Sequence, residues 1–268
     1  MNSPVFTATG AKPVNGDGVN APTVLRVSAT RAAASLNGAL AEADAADIIA
    51  TLLAIHDPGD VAMVSSFGAD SAVLLHMLSR IAPETPVLML ETGFLFAETL
   101  DYQRVLATRL GLGDVRLIRP AKDDLATHDP DDTLHRRDTD GCCHIRKTRP
   151  LDAALRPFQA WITGRKRFQS TTRQSLTPFE AEDGTTRLKA NPLYAWDATR
   201  LARYMDDWDL PRHPLVSQGY PSIGCWPCTS KVAKGEDARA GRWRGEAKEE
   251  CGIHFDGEKW VRHQGGLP

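Results

Sequence analysis

Four of the chain's five cysteines fall into two pairs, Cys142 and Cys143 in GCCHIRK and Cys225 and Cys228 in GCWPCTS, while Cys251 stands alone in GEAKEECGIHFDG. Four thiolates drawn from two pairs can ligate one tetrahedral metal ion or one iron–sulfur cluster. Cys225 and Cys228 have the C-x-x-C spacing of an ordinary ligand turn. The adjacent Cys142 and Cys143 depart from the zinc-ribbon pattern of two C-x-x-C pairs, which weakens structural zinc. Two other readings stay open. The thiols could be buried and free, packing as small hydrophobes. Alternatively the C-x-x-C could be redox-active, although a thioredoxin-type motif opens a helix directly after a first strand and this one lies far downstream. Lys147 follows Cys143 at helical i,i+4 spacing and would share its face if a helix starts there. An ammonium beside a net-negative thiolate site is electrostatically favourable and could attract a sulfate or phosphate. As an ordinary lysine it would be a solvated surface group.

These residues need a scaffold, and the hydrophobic pattern supplies one. Ala32 to His56 has helical periodicity and stops at Asp57-Pro58-Gly59. VAMVSSF (Val61 to Phe67) reads as a buried strand, and SAVLLHMLSRI as an amphipathic helix after the turn GAD. PVLMLET (Pro86 to Thr92) reads as a second strand, FLFAETLDYQRVLATRLGL as a helix closed by Gly111, and VRLIRP (Val115 to Pro120) as a third strand. A fourth strand is expected at AWITGRK (Ala160 to Lys166), and a helix capped by Asp197 at DATRLARYMDDW. This βαβαβ rhythm predicts an α/β fold: a Rossmann-like parallel sheet with right-handed crossovers and helices on both faces. Residues 1–25, rich in Gly, Pro and Asn, read as a loose extension. Residues 26–228 then form the α/β domain. Residues 229–268, charged and punctuated by glycine with no long apolar face, read as a mobile C-terminal tail carrying Cys251.

Two loops on this scaffold suit anions. In VSSFGADSAVLL, Ser65, Ser66, Gly68 and Ser71 lie between a strand and a helix, where backbone N–H groups, hydroxyls and the helix dipole can meet a phosphate. Open α/β sheets bind ligands at that end of the strands. The loop lacks the G-x-x-x-x-G-K-[ST] of a Walker A motif, and an ordinary βα turn capped by Asp70 or Ser71 would also fit. In GRKRFQSTTR, Gly164 allows close backbone approach. Arg165, Lys166, Arg167 and Arg173 could give bidentate donors to an oxyanion or simply form a solvated basic turn.

Composition limits the function classes. With 268 residues, 42% hydrophobic, the chain can bury a large core. A net charge of −2 gives no bulk attraction to nucleic acid or anionic membrane, and no apolar run is long enough to span a bilayer. No basic-then-apolar leader is visible at the start, so a cytoplasmic, reducing location is expected. There, clustered cysteines are more often metal-binding or catalytic than disulfide-bonded.

Taken in order, SSFGADS, ETGFLFAETLDY, CCHIRK, WITGRKRFQSTTR, IGCWPCT, RAGRW and ECGIH closely resemble the assimilatory adenylyl-sulfate reductases, thioredoxin-dependent enzymes of sulfate assimilation. The resemblance spans Val61 to His254. The loop and GRKR-type motifs are shared with reductases of 3′-phosphoadenylyl sulfate. The CC…CxxC set marks the cluster-containing branch, and ECGIH separates the chain from ATP pyrophosphatases that share the loop. The resemblance implies that Cys142, Cys143, Cys225 and Cys228 hold one [4Fe–4S] cluster and that Lys147 lies between cluster and substrate sulfate. By the same resemblance, Arg239 and Arg242 hold the phosphosulfate. Ser65, Ser66, Gly68, Ser71, Gly93, Gly164, Arg165 and Arg173 would contact the nucleotide. Cys251 would attack sulfur as a thiolate, leaving AMP and an enzyme S-sulfonate, and thioredoxin (or a glutaredoxin-like reductant) would release sulfite. His254 is open between base and bystander. The expected partners are adenylyl sulfate, thioredoxin and further copies of the chain as a homo-oligomer, with no nucleic acid and no membrane. The remaining alternatives are a 3′-phosphoadenylyl-sulfate or dual-substrate reductase and a non-catalytic metal- or nucleotide-binding module.

Overall fold

The computed structural model describes residues 21–182, 185–246, 248 and 250–253. Its strands are β1 (Val61–Val64), β2 (Val87–Leu90), β3 (Val115–Ile118), β4 (Ala160–Thr163), β5 (Phe179–Ala181) and β6 (Leu188–Ala190). They form one sheet in the order β3-β2-β1-β4-β6-β5, parallel throughout except for the antiparallel pair β5–β6. The helices are α1 (Ala21–Ala39), α2 (Ala45–Ala54), α3 (Ser71–Ile81), α4 (Ala97–Leu110), α5 (Lys122–His128), α6 (Leu134–Arg137), α7 (Thr139–Cys143), α8 (Arg149–Leu155) and α9 (Ala198–Asp207).

The central strand explains the layering. All four residues of β1 are buried, as expected of a parallel strand covered on both faces. Side chains alternate across a strand. Val61 and Met63 therefore join Ile48, Ile49, Leu74 and Leu75 in one core, and Ala62 and Val64 join Leu151, Leu155 and Trp161 in the other. The predicted α/β sheet with helices on both faces is thus present. Gly111 closes α4 with a left-handed φ of 62°, and the Asp197 carboxylate accepts from Arg200 N at 2.7 Å to cap α9.

Three expectations are corrected. The helix read from Ala32 to His56 is two helices. α1 ends at Ala39, and α2 starts afresh at a reciprocal cap between Asp44 and Asp47. The break has a cause in Asn37, whose amide accepts from Phe179 N at 2.8 Å and donates to Phe179 O at 2.9 Å, fixing the end of α1 against β5. Second, α1 begins at Ala21, inside the stretch read as a loose extension; residues 1–20 lie outside the described residues. Third, the β5–β6 hairpin was not foreseen. Its strands are only three residues long, and β6 buries the charged Lys189 beside Glu180 at 3.4 Å. Among the described residues no helix is long and apolar enough to cross a membrane.

Candidate active site

A cavity of about 290 Å³ opens at the C-terminal ends of β1 and β4, the position where open α/β sheets take ligands. The loop after β1 forms one wall. Its shape is set locally: Phe67 adopts a left-handed φ of 47° while its ring is fully buried in the core. Burial of the ring holds a backbone conformation that a non-glycine residue adopts only at a cost. Phe67 N donates to Ser65 Oγ at 3.2 Å, and Gly68 N donates to Ser71 Oγ at 2.9 Å. Ser65, Ser66, Gly68 and Ser71 all line the cavity. Asp70 makes no side-chain cap on α3 and instead pairs with Lys166 at 3.3 Å.

The basic run after β4 forms the second wall, and its charges are already engaged. Lys166 is buried, which pulls its pKa below the ordinary lysine value even with Asp70 beside it. Arg165 bonds Glu180 and, through Nη2, Asn191 at 3.1 Å. Burial likewise lowers its pKa. Arg165 lines the cavity, tied to β5 and to the residue after β6. Arg173 lines the cavity, but its Nε and Nη2 donate to Glu250 at 2.7 and 2.6 Å and its Nη1 to Gln169.

The two cysteine pairs meet beside the cavity: Cys142 and Cys225 share one buried cluster, and of the four only Cys225 lines the wall. α7 ends at Cys143 and continues as a π-helical turn, His144–Thr148, that carries Lys147; such turns recur at functional sites. Cys225 enters through an isolated antiparallel bridge to Leu95, with Trp226 N donating to Phe94 O at 2.8 Å. Thr92 Oγ1 lies 3.2 Å from Cys225 Sγ. All five cysteines are free. Burial, then the neighbouring Cys143, pushes the Cys142 thiol up to about 12, and burial also raises Cys143 and Cys228. Burial of Lys147 works against its charge, yet the Cys225, Cys251 and Cys143 sulfurs outweigh that and hold the ammonium above the ordinary lysine range. Four buried or half-buried thiols with a cation beside them are a donor set that a cationic centre would complete. Among the described residues no three Cys, His, Asp or Glu groups converge at the spacing of a single ion.

The segment after Cys228 closes the cavity. The segment reads from sequence as a mobile tail with no long apolar face, and a single residue anchors it: Trp243 is 4% exposed with a left-handed φ of 46°. Trp243 N donates to Cys228 O at 3.0 Å, and Ser230 N donates to Gly241 O at 2.8 Å. Gly241 is required there, because a Cβ would lie 2.1 Å from Ser230 O. The turn brings Arg239 and Arg242 to the cavity wall. Arg242 lies directly against Gly224, where a Cβ would stand 2.3 Å from its Nη2. Arg242 Nε and Trp243 Nε1 are buried without a hydrogen-bond partner, as donors awaiting a ligand would be.

The structure therefore gathers Cys251, Lys147, Arg239, Arg242, Ser65, Ser66, Gly68, Ser71, Gly164, Arg165, Arg173 and Cys225 around one cavity. Gly93 does not line it. With φ of 80°, its N donating to Glu91 Oε1 at 2.8 Å, it turns the chain so that Thr92 does. His254 lies outside the described residues. Sequence reasoning assigned no role to Thr92, Gly224, Trp243 and Glu250, and did not foresee the pairing of Lys166 with Asp70. Of these only Glu250 carried a usable signal, as the neighbour of Cys251 in ECGIH.

Residues 60–231 match the phosphoadenosine phosphosulfate reductase domain. The chain is 51% identical to an adenosine 5′-phosphosulfate reductase of Mesorhizobium japonicum over 75% of this chain and 78% of that one. It is 43% identical to a phosphoadenosine 5′-phosphosulfate reductase of Gloeobacter violaceus over 72% and 81%. The crystal structure of a phosphoadenylyl-sulfate reductase from Candida auris superposes with a TM-score of 0.62 at 25% identity, covering 74% of this chain and 95% of that one. A domain match over most of the chain, relatives of this identity and the shared fold agree: the chain belongs to the phosphoadenosine phosphosulfate reductase family.

Proposed function

We propose that the chain is an adenylyl-sulfate reductase that transfers sulfur from adenylyl sulfate to Cys251 and releases sulfite to a thioredoxin-type dithiol. One observation carries the reading. A lone half-buried thiol, Cys251, shares a cavity with a phosphate-type loop and with the cations Lys147, Arg239 and Arg242. An anionic anhydride would be held by those cations, which shield the approach of an anionic nucleophile.

In the first step the Cys251 thiolate attacks the sulfate sulfur. An S–S bond forms, the S–O bond to the phosphate breaks, and AMP leaves with the electron pair, stabilised by Arg239 and Arg242. In the second step a thiolate of the external dithiol attacks Cys251 Sγ and sulfite leaves. The second thiol then resolves the mixed disulfide, so the dithiol is oxidised and Cys251 returns as a thiol. Cys142, Cys143, Cys225 and Cys228 would hold a [4Fe–4S] cluster, a centre whose thiolates need not converge on one point as those of a single ion must. When bound, the cluster supplies negative charge that fixes Lys147 at the sulfate end of the cavity. A 3′-phosphorylated substrate is the second reading, favoured by the Gloeobacter relative's name. Purified protein with thioredoxin should release sulfite and AMP from adenylyl sulfate. Sulfite from 3′-phosphoadenylyl sulfate alone would favour the second reading, and sulfite from neither would overturn both.

A further inference from the structure

We infer that Glu250 is the positioning residue that seats Cys251 over the cavity through its ion pair with Arg173; the inference rests on the proposed role of Cys251. The Glu250 carboxylate takes the Arg173 fork in bidentate fashion, with Ser170 Oγ donating at 3.1 Å and the Arg239 guanidinium 3.8 Å away as a further ion-pair partner. With Nη1 of Arg173 given to Gln169, every nitrogen of that guanidinium has a side-chain partner. The pair is shielded, with 11% and 25% side-chain exposure, so solvent and salt weaken it less than an open surface pair. Ser170 and Arg173 belong to the turns that follow β4, on the rigid sheet. The clasp therefore ties the residue next to Cys251 to the part of the molecule that also carries the phosphate-type loop. One bond further along, consecutive Cα atoms being about 3.8 Å apart, Cys251 has little freedom to leave. The other side is pinned as well: Gly252 turns with φ of 80° beside Thr148, and Ile253 packs on the core formed by Leu151, Leu155 and Trp161. Cys251 is thus held between an ion pair and an apolar contact, and releasing the ion pair frees it toward solvent.

The test uses full-length Glu250→Gln, Arg173→Gln and the double variant. Three quantities are read: alkylation of Cys251 by iodoacetamide, the rate of Cys251 sulfonate formation at saturating adenylyl sulfate, and the affinity for AMP. Each single variant should raise alkylation and lower the sulfonation rate by about tenfold, the scale of a charge-assisted hydrogen-bond pair. The double variant should add nothing further, AMP affinity of Glu250→Gln should stay within about twofold, and Glu250→Asp should restore part of the protection. If Glu250→Gln leaves alkylation and sulfonation unchanged, the inference is overturned. Absence of any sulfonate on the wild-type protein would instead contradict the proposed function, and the alkylation measurement would still decide the clasp.

Discussion

Thr92 Oγ1 stands 3.2 Å from Cys225 Sγ across 133 residues of sequence, so the loop after β2 and the CWPC turn are in direct contact. The same loop is tied to the first cysteine pair. Arg146, on the turn that follows Cys143, donates to Thr92 O at 2.9 Å and pairs with Asp129 at 2.6 Å. Its guanidinium also lies 4.1 Å from the centre of the Phe94 ring. Arg146 and Asp129 have side-chain exposures of 3% and 0%, which makes this pair the brace between the two halves of the thiol site.

Removing Asp129 would leave Arg146 buried with the more exposed Asp132 as its carboxylate partner. Asp129→Ala should therefore destabilise the protein by about 3 kcal/mol, as expected when one partner of a buried pair is lost. It should also lower iron content, because the two cysteine pairs would no longer be braced. Urea unfolding and iron analysis of the same preparation check both.

Protein purified without oxygen should contain about four iron and four acid-labile sulfide per chain, and Cys225→Ser should lower both together. Stoichiometric zinc without sulfide would contradict the cluster reading.

Gly224→Ala introduces a methyl group 2.3 Å from the Arg242 guanidinium. The atom in the way is the end of a flexible side chain, so stability should change by less than about 1 kcal/mol. Arg242 would be pushed from the cavity wall, and KM for adenylyl sulfate should rise by about tenfold or more, read from initial rates of sulfite release.

His213 is 1% exposed, with Thr99 Oγ1 3.1 Å from Nε2 and Leu215 N donating to Nδ1 at 3.2 Å. Burial lowers its pKa to about 4 from 6.5. Between those values the unfolded chain takes up a proton that the folded one does not. Stability should therefore fall as pH drops from 6.5 to 4, by up to roughly 3 kcal/mol from this residue, and level off below. Urea titrations across that window should show a flatter slope for His213→Gln than for the parent.

The sheet was legible because β1, β2 and β4 are short apolar runs bounded by turn residues, and α3, α4 and α9 carry clear periodicity, with Gly111 closing α4 and Asp197 capping α9. The β5–β6 hairpin was not, because Lys189 breaks its apolar pattern and is tolerated only beside Glu180, a tertiary pairing. The cysteines, Lys147 and the loop serines were legible by residue type and spacing. Trp243 was not: one tryptophan in a charged tail gives no period, and its burial depends on the Cys228 and Gly241 turns folding over it. The ion pairs of Arg165 and Arg173 were not legible for a related reason. Their motif gave their charge but not the carboxylates, Glu180 and Glu250, that meet them.

The central claim is that Cys251 is the nucleophile. Its most direct test is peptide-level mass spectrometry of the protein after incubation with adenylyl sulfate and no reductant, with Cys251→Ser alongside. A sulfonate on Cys251 of the parent, released as sulfite on adding thioredoxin and absent from the variant, is the predicted result. Sulfite formation by Cys251→Ser at the parental rate, or a sulfonate on another cysteine, would contradict it.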